Sequence, residues 1–252
     1  MEVHTHTHTE RKKWTHYLWE FLMLFLAVFC GFMAENWREH LVEHNREKQY
    51  MQSMAGDIRK DTIEVNTEII YATELMHGLA SLFQCLHSKE ITDSVQRRLY
   101  FLSIKYSRLI GIDFSDETSS QLKNAGGMRL IRNREVADGI AFYWKRIQLL
   151  EFDINYFNNK MNELAEVGYK IFDRAYIQNF SHSTSDGTGM MNVQINSDAR
   201  LMVHDRNQLT EYANRIIVLV NSLQTWYLPT LEKQKIAASD LILLIKKEYH
   251  LK

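Results

Sequence analysis

Apolar side chains recur every three or four residues along most of this chain. The longest stripe begins at Trp37 and continues for about seven heptads, a spacing that places side chains on one face of an α-helix. Its members are Trp37, Leu41, His44, Lys48, Met51, Ala55, Ile58, Thr62, Val65, Ile69, Ala72, Met76, Leu79, Phe83 and Leu86. The stripe predicts a helix over residues 38–87 that packs against other helices through this face.

The same spacing returns later in the chain and predicts further helices. Their bounds are about 92–110, 115–125, 133–177 and 198–250. Asp93 and Asn133 are candidate N-caps. Gly126 and Gly127 suit a left-handed C-terminal cap, and Pro229 should kink the last helix. The pattern predicts an all-α fold, an up-down-up-down bundle of four antiparallel helices whose second leg consists of two shorter helices.

An apolar segment precedes the predicted bundle. Residues 21–34 contain no polar side chain besides Cys30. Trp14 and Trp37 bound a stretch of about 24 residues, which is long enough to cross a bilayer and has aromatic residues at both lipid–water boundaries. The predicted regions are a His-rich tail over 1–13, a transmembrane helix over 14–37 and an extramembrane bundle over 38–252.

The alternative to a retained anchor is a cleaved signal peptide, because the basic residues 11–13 resemble the start of one. A cleavage site needs small residues, yet the bulky Phe32 lies two positions before Ala34. We therefore predict an uncleaved signal anchor. Basic residues occur on both sides of it, but residues 11–13 form the tighter cluster. This favours a bacterial inner-membrane protein with a cytoplasmic N-terminus and a periplasmic bundle.

One face of the predicted transmembrane helix carries small and ionisable side chains. Continuing the stripe backward from Trp37 gives its members: His16, Glu20, Met23, Ala27, Cys30 and Ala34, with Gly31 beside them. Ala27 and Gly31 are spaced for close helix–helix contact, and a Glu in hydrocarbon needs a polar partner. The face therefore predicts a homo-oligomer or a membrane-protein partner. The alternative is that Glu20 extends to the lipid headgroups.

Composition excludes several classes of function. The 30 basic and 31 acidic residues leave a net charge of −1, so no nucleic-acid partner is expected. The single Pro and 10 Gly are too few for a sheet-rich fold. Cys30 and Cys85 do not form a disulfide framework. No phosphate-binding loop or nucleophile motif indicates a small-molecule substrate.

Residues 40–44 match the H-x-x-E-H pattern of inverted zinc metalloproteases. In that pattern His40 and His44 would bind a metal and Glu43 would serve as the base. The alternative is a solvated helix, because this segment is crowded with Glu and chance matches are common there.

The N-terminal tail holds three alternating histidines, His4, His6 and His8. An extended chain places all three on one side, where they can bind Zn²⁺, Ni²⁺ or Cu²⁺. The alternative is an unstructured tail with another role. We predict no cofactor, with metal binding at these histidines as the alternative.

The polar segment 178–197 is rich in Ser, Thr, Gly, Asn and Asp. It is predicted to form a loop at the far tip of the bundle, either a contact point or a disordered connector. The same topology returns Lys246, Lys247 and Lys252 toward the headgroups of the membrane.

Three runs of the sequence carry a resemblance to a known family: MEVHTHTHT at 1–9, WTHYLWEF at 14–21 and QLKNAGGMRLIRN at 121–133. They resemble an uncharacterised family of bacterial membrane proteins. The resemblance implies a single N-terminal span followed by a helical remainder. It implies no activity.

The leading prediction is a non-enzymatic interaction or scaffold protein at the membrane. The alternative is an extracytoplasmic sensory module that resembles the four-helix ligand domains of chemoreceptors and acts through a separate partner. A third hypothesis is a metal-dependent enzyme that uses His40, Glu43 and His44.

Overall fold

The computed structural model describes residues 14–124, 126–182, 191–203 and 205–251, and this part of the chain is mostly helical, as predicted. Its α-helices are α1 (Trp14–Leu86), α2 (Asp93–Lys105), α3 (Glu117–Asn124), α4 (Arg134–Gly168), α5 (Arg206–Ser222) and α6 (Leu228–Tyr249). Two strands, β1 (Ile177–His182) and β2 (Met191–Ile195), pair antiparallel.

The chain forms two units, Met1–Gln49 and Tyr50–Lys252. In the first unit, residues 14–42 of α1 are exposed along their whole length. An 18-residue window of this helix near its N-terminus has a mean hydropathy of 1.9, and none of it is buried. The first unit therefore contains a helix that is long and apolar enough to cross a membrane.

The second unit has two clusters of buried apolar side chains. One joins the C-terminal half of α1 to α2, the later part of α4, α5 and the start of α6. The other joins residues 51–58 of α1 to α3, the start of α4 and the end of α6. All fully buried members of both clusters lie between Met51 and Tyr249.

The buried face of α1 confirms one of the two rows of residues in the predicted stripe. The other buried row lies one position earlier in the sequence than predicted. The first row is Met51, Ile58, Val65, Ala72 and Leu79, each at most 1% exposed. The second row is Met54, Asp61, Glu68, Leu75 and Leu82, each at most 2% exposed. The predicted Thr62, Ile69, Met76 and Phe83 are only half-buried. The pattern passed over positions 61 and 68 because they are acidic, yet both carboxylates are buried with polar partners.

Helix α2 ends at Lys105, whereas the sequence pattern predicted an end near residue 110. The Asn158 side chain explains the early end, because it accepts from the Ile110 N–H and donates to the Ile110 C=O, both at 2.9 Å. Backbone groups that a longer helix would pair internally are thus satisfied from α4. The predicted N-cap of α2, Asp93, was wrong. The N-cap is Thr92, whose side chain accepts a hydrogen bond from the Val95 N–H.

Helix α4 begins as predicted, with Asn133 accepting from the Val136 N–H. It ends at Gly168 and not at residue 177, because Ile171 and Phe172 turn into the core and the Ile171 carbonyl accepts from the Met202 N–H at 2.9 Å. Gly126 adopts the predicted left-handed conformation, with φ of 66°.

The polar segment predicted as a loop instead carries β1 and β2, because backbone groups outside a helix need partners and strand pairing supplies them. Residues 183–190 of that segment lie outside the described residues. Helix α5 consequently begins at Arg206, after its N-cap Asp205, and not at residue 198.

Pro229 lies just inside α6, directly after a π-helical turn at Leu223–Tyr227. Proline has no N–H to donate to the carbonyl four residues earlier and its ring crowds that carbonyl, so a wider turn accommodates it. The kink predicted near Pro229 stays a prediction.

Candidate functional site

A line of acidic residues on α1 points into the second unit. Asp57, Asp61 and Glu68 are 7%, 2% and 2% exposed, although ionisable side chains are rarely buried so fully. Their spacing places all three on the core side of the helix. Each contacts a different element, so the acids tie α1 to the surrounding chain.

Asp61 is the central member of this line. Its Oδ1 accepts from the Ser115 N–H at 2.8 Å, and its Oδ2 accepts from the Tyr143 hydroxyl at 2.8 Å. Burial raises the pKa of Asp61, and the bonds from Ser115 and Tyr143 oppose that shift. Burial also raises the pKa of Tyr143, so its phenol remains a neutral donor.

Asp57 lies one turn earlier and serves the start of α3. Its Oδ2 accepts from the Thr118 hydroxyl at 2.5 Å and from the Thr118 N–H at 3.3 Å. A free N–H in the first turn of a helix usually bonds to the residue that precedes the helix. Here a carboxylate of another helix takes that role, which fixes α3 against α1.

Glu68 lies further along α1 and contacts Tyr227, a member of the first core cluster. Its Oε1 accepts from the Tyr227 hydroxyl at 3.3 Å. Burial raises the pKa of Glu68 to about 7, opposed by the charge of Arg108, the Gly111 N–H and the Tyr227 hydroxyl. The protonation state of Glu68 therefore changes near neutral pH.

A cavity of about 500 Å³ lies between α1, α2, α4 and α5, and we call it the Arg174 cleft. Its floor is buried and consists of Leu79, Leu82, Ile104, Leu164 and Tyr212. Its rim is exposed and includes Leu109, Tyr169 and Arg174. Burial raises the pKa of the Tyr212 phenol, so the floor presents a neutral hydroxyl.

Arg174 is held at this rim by the turn in which it lies. The turn begins after Asp173, whose Oδ1 accepts from the Ala175 N–H at 2.9 Å. The Asp173 N–H donates to the buried Tyr100 hydroxyl at 2.9 Å. The Arg174 guanidinium lies 4.8 Å from the centre of the Tyr169 ring, a cation–π distance.

The predicted membrane face lies on one side of α1 in the first unit. Helical geometry places its members within an arc of about 100°, and every one is exposed: His16, Glu20, Met23, Ala27, Cys30, Gly31 and Ala34. A methyl group added at Gly31 would meet no atom within 4 Å. The role of this face in association stays a prediction.

The two candidate metal ligands on α1 each face a carboxylate of their own helix. His40 Nδ1 lies 4.0 Å from Glu43 Oε2, and His44 Nδ1 lies 3.7 Å from Glu47 Oε2. Across residues 14–124, 126–182, 191–203 and 205–251, no group of three or more His, Cys, Asp or Glu side chains is placed to hold a metal ion. Metal binding at His40 and His44 stays a prediction. His4, His6, His8 and Lys252 lie outside the described residues.

Neither the acids of α1 nor the Arg174 cleft was predicted from the sequence. One signal for the acids was present: Asp61 and Glu68 interrupt an otherwise apolar row that runs through Met54, Leu75 and Leu82. No local sequence pattern predicted the cleft, because its walls come from four helices that are far apart in the sequence.

Comparisons with protein-family models, with curated proteins and with solved structures found no match. The resemblance to a bacterial family of single-span membrane proteins stays a prediction.

Proposed function

We propose that this protein is a membrane-anchored, non-enzymatic interaction or scaffold protein. The exposed apolar segment of α1 carries this proposal. Burying one large apolar side chain is worth about 1.5–3 kcal/mol, so a long helix of such side chains is unfavourable in water and favourable in hydrocarbon. Residues 14–37 form the transmembrane helix, and α1 continues in sequence into the second unit.

Two different faces of this segment support association within the membrane. Phe21, Phe25 and Phe29 stack on one another, with ring centres 6.3 and 5.9 Å apart. Helical spacing puts this aromatic row about 140° from Ala27 and Gly31, on another side of the helix. The Phe row suits lipid, whereas small residues allow a second helix to approach closely. The small-residue face is the proposed contact with a second copy or with another membrane protein.

Cysteine cross-linking in membranes tests this proposal, because Cys30 lies on the small-residue face and is exposed. In a Cys85→Ser background, oxidation should join two copies through Cys30 as a covalent dimer on a non-reducing gel. The matched control carries Cys30→Ser and Phe25→Cys, which moves the only thiol to the Phe row. The control should stay monomeric. Equal dimer from both positions, or none from Cys30, contradicts self-association through this face.

For the second unit we propose an antiparallel four-helix bundle. Three side-chain hydrogen bonds join α4 and its N-cap to α5 and α6. The residue number on the α5 and α6 side falls as the number on the α4 side rises, as expected for antiparallel helices. The pairs are Asn133 with Glu248, Arg146 with Gln234, and Glu163 with Arg215. The same relation links α1 to the second leg, through Asp57 with Thr118 and Tyr71 with Arg108. These contacts support the up-down-up-down order.

The proposed location is the bacterial inner membrane, with the N-terminus in the cytoplasm and the bundle in the periplasm. The basic cluster at residues 11–13 supports this orientation. Alkaline phosphatase fused after Lys252 should be active, and a green fluorescent protein fused there should be dark. A fluorescent, phosphatase-inactive C-terminus would reverse the orientation.

A second candidate function is an extracytoplasmic sensory module that acts through a separate partner. The Arg174 cleft favours it, since about 500 Å³ is within the range of small-molecule sites. In this function a ligand bound in the second unit would change how the anchored protein contacts its partner.

A further inference from the structure

The Arg174 cleft has the shape of a ligand site. Leu79 and Leu82 of α1 and Leu164 of α4 form a floor that is at most 4% exposed. The rim opens to solvent at Tyr169 and Leu109, which are 57% and 43% exposed. A buried apolar floor under an open rim encloses the apolar part of a small molecule and leaves its polar end near water.

Among the described residues that line the cleft, Arg174 alone carries a charge. It forms no ion pair with any carboxylate of the described residues. The nearest acid in sequence, Asp173, directs its carboxylate to the Ala175 N–H. A guanidinium without a carboxylate partner, held beside apolar walls, is complementary to an anion.

The rest of the polar lining consists of neutral groups. Ser103 of α2, Ser107 just after α2, Asn162 of α4 and the Tyr212 phenol line the same cavity. These groups donate or accept hydrogen bonds but neutralise no second charge. A monoanion therefore matches the cleft, whereas a dianionic phosphate would leave one negative charge uncompensated beside apolar walls.

A larger groove of about 670 Å³ between α4 and α5 differs in this respect. Its charged side chains already pair with one another: Lys160 Nζ lies 2.8 Å from Glu163, and Arg215 lies 3.3 Å from Glu163 and 3.1 Å from Glu211. A ligand would have to compete with these pairs. The Arg174 cleft is the better site because its cation has no such competitor among the described residues.

We propose that the Arg174 cleft binds a small monocarboxylate with an apolar body, such as an arylalkyl carboxylate. The apolar body lies on the floor of Leu79, Leu82 and Leu164, and the carboxylate accepts hydrogen bonds from the Arg174 guanidinium at the rim. The site gives the sensory candidate a ligand class. It depends only on the second unit, so failure of Cys30 cross-linking leaves it unaffected.

Calorimetric titration of the full chain in lipid nanodiscs, with empty nanodiscs subtracted, tests the proposal. The probes are 4-phenylbutyrate and its neutral amide, which share an apolar body and differ in charge. The carboxylate should bind saturably, and the amide about tenfold more weakly, as expected for loss of a charge-assisted hydrogen bond. Arg174→Gln should weaken carboxylate binding by about tenfold and leave amide binding unchanged.

Two further variants complete the test. Arg59→Gln removes the same charge from an exposed position of α1 outside the cleft, and it should leave both affinities unchanged. Ala165→Phe fills the cleft from its α4 wall and should abolish binding of both probes. Equal affinity for acid and amide, no effect of Arg174→Gln, or no saturable binding to wild-type protein with a helical circular dichroism spectrum would each overturn the proposal.

Discussion

Glu68 occupies a core position of α1 at which most proteins place an apolar residue. Its pKa of about 7 means that the folded protein holds a proton that the unfolded chain, with an ordinary Glu pKa near 4.5, has already released. Stability from this group is therefore fully present below about pH 4.5 and is lost as the pH rises to about 7. The shift corresponds to a loss on the order of 3 kcal/mol.

Glu68→Gln should remove most of this pH dependence, because an amide has no proton to release. We expect the free energy of unfolding of the wild type to fall between pH 4 and pH 8 by about 3 kcal/mol more than that of the variant. Denaturation in urea, followed by circular dichroism at each pH, measures the difference. Glu64→Gln is the control, since Glu64 is exposed on the same helix. Parallel pH profiles for wild type and Glu68→Gln would show that Glu68 does not titrate in this range.

At the scale of elements, the contact between α1 and the end of α2 depends on a glycine. Gly78 is buried, and a methyl group there would overlap the Tyr106 ring. Gly78→Ala should therefore destabilise the second unit by about 1–3 kcal/mol through overpacking. Gly56→Ala is the matched control, since a methyl group there meets nothing within 4 Å. Alanine is the better helix former, so the control should gain about 0.5–1 kcal/mol.

The two substitutions are identical and lie in one helix, so they change helix propensity alike. Changes in stability of opposite sign would therefore show the effect of packing at Gly78. Thermal or urea unfolding of the two variants measures both effects. If both variants gained stability, Tyr106 would not pack closely on Gly78 of α1.

Much of the element order was predictable because local pattern determines it. One heptad row of α1, the stripe of α4, the Asn133 cap and the left-handed Gly126 depend on residues close in sequence. Helix ends fixed by distant side chains were not predictable. Asn158 ends α2 from 48 residues away, and Asp57 caps α3 from 61 residues away. For the same reason the sequence pattern could name a membrane face, which lies on one helix, but not the Arg174 cleft, which four helices build.

At the scale of the whole molecule, the first unit exposes apolar side chains continuously and the second unit does not. From Trp14 to Val42 large hydrophobic residues are exposed on every side of α1. In the second unit most large hydrophobic side chains are buried in the two core clusters, and the exposed ones include Phe142, Leu149 and Phe152 of α4. The proposed bilayer around residues 14–37 would remove the unfavourable exposure of the first unit.

This difference predicts that a chain starting at residue 38 is soluble and folded without a membrane. All fully buried members of both core clusters lie between Met51 and Tyr249, so removing residues 1–37 takes nothing from either core. The fragment should appear in the soluble fraction, with a helical circular dichroism spectrum and one cooperative thermal transition. A chain starting at residue 88 is the control. It lacks the buried row from Met51 to Leu79, so both cores are open and it should aggregate or remain unfolded. If the longer fragment were coil while the full chain in membranes was helical, the second unit would depend on the anchor for its fold, and the two units would not be independent.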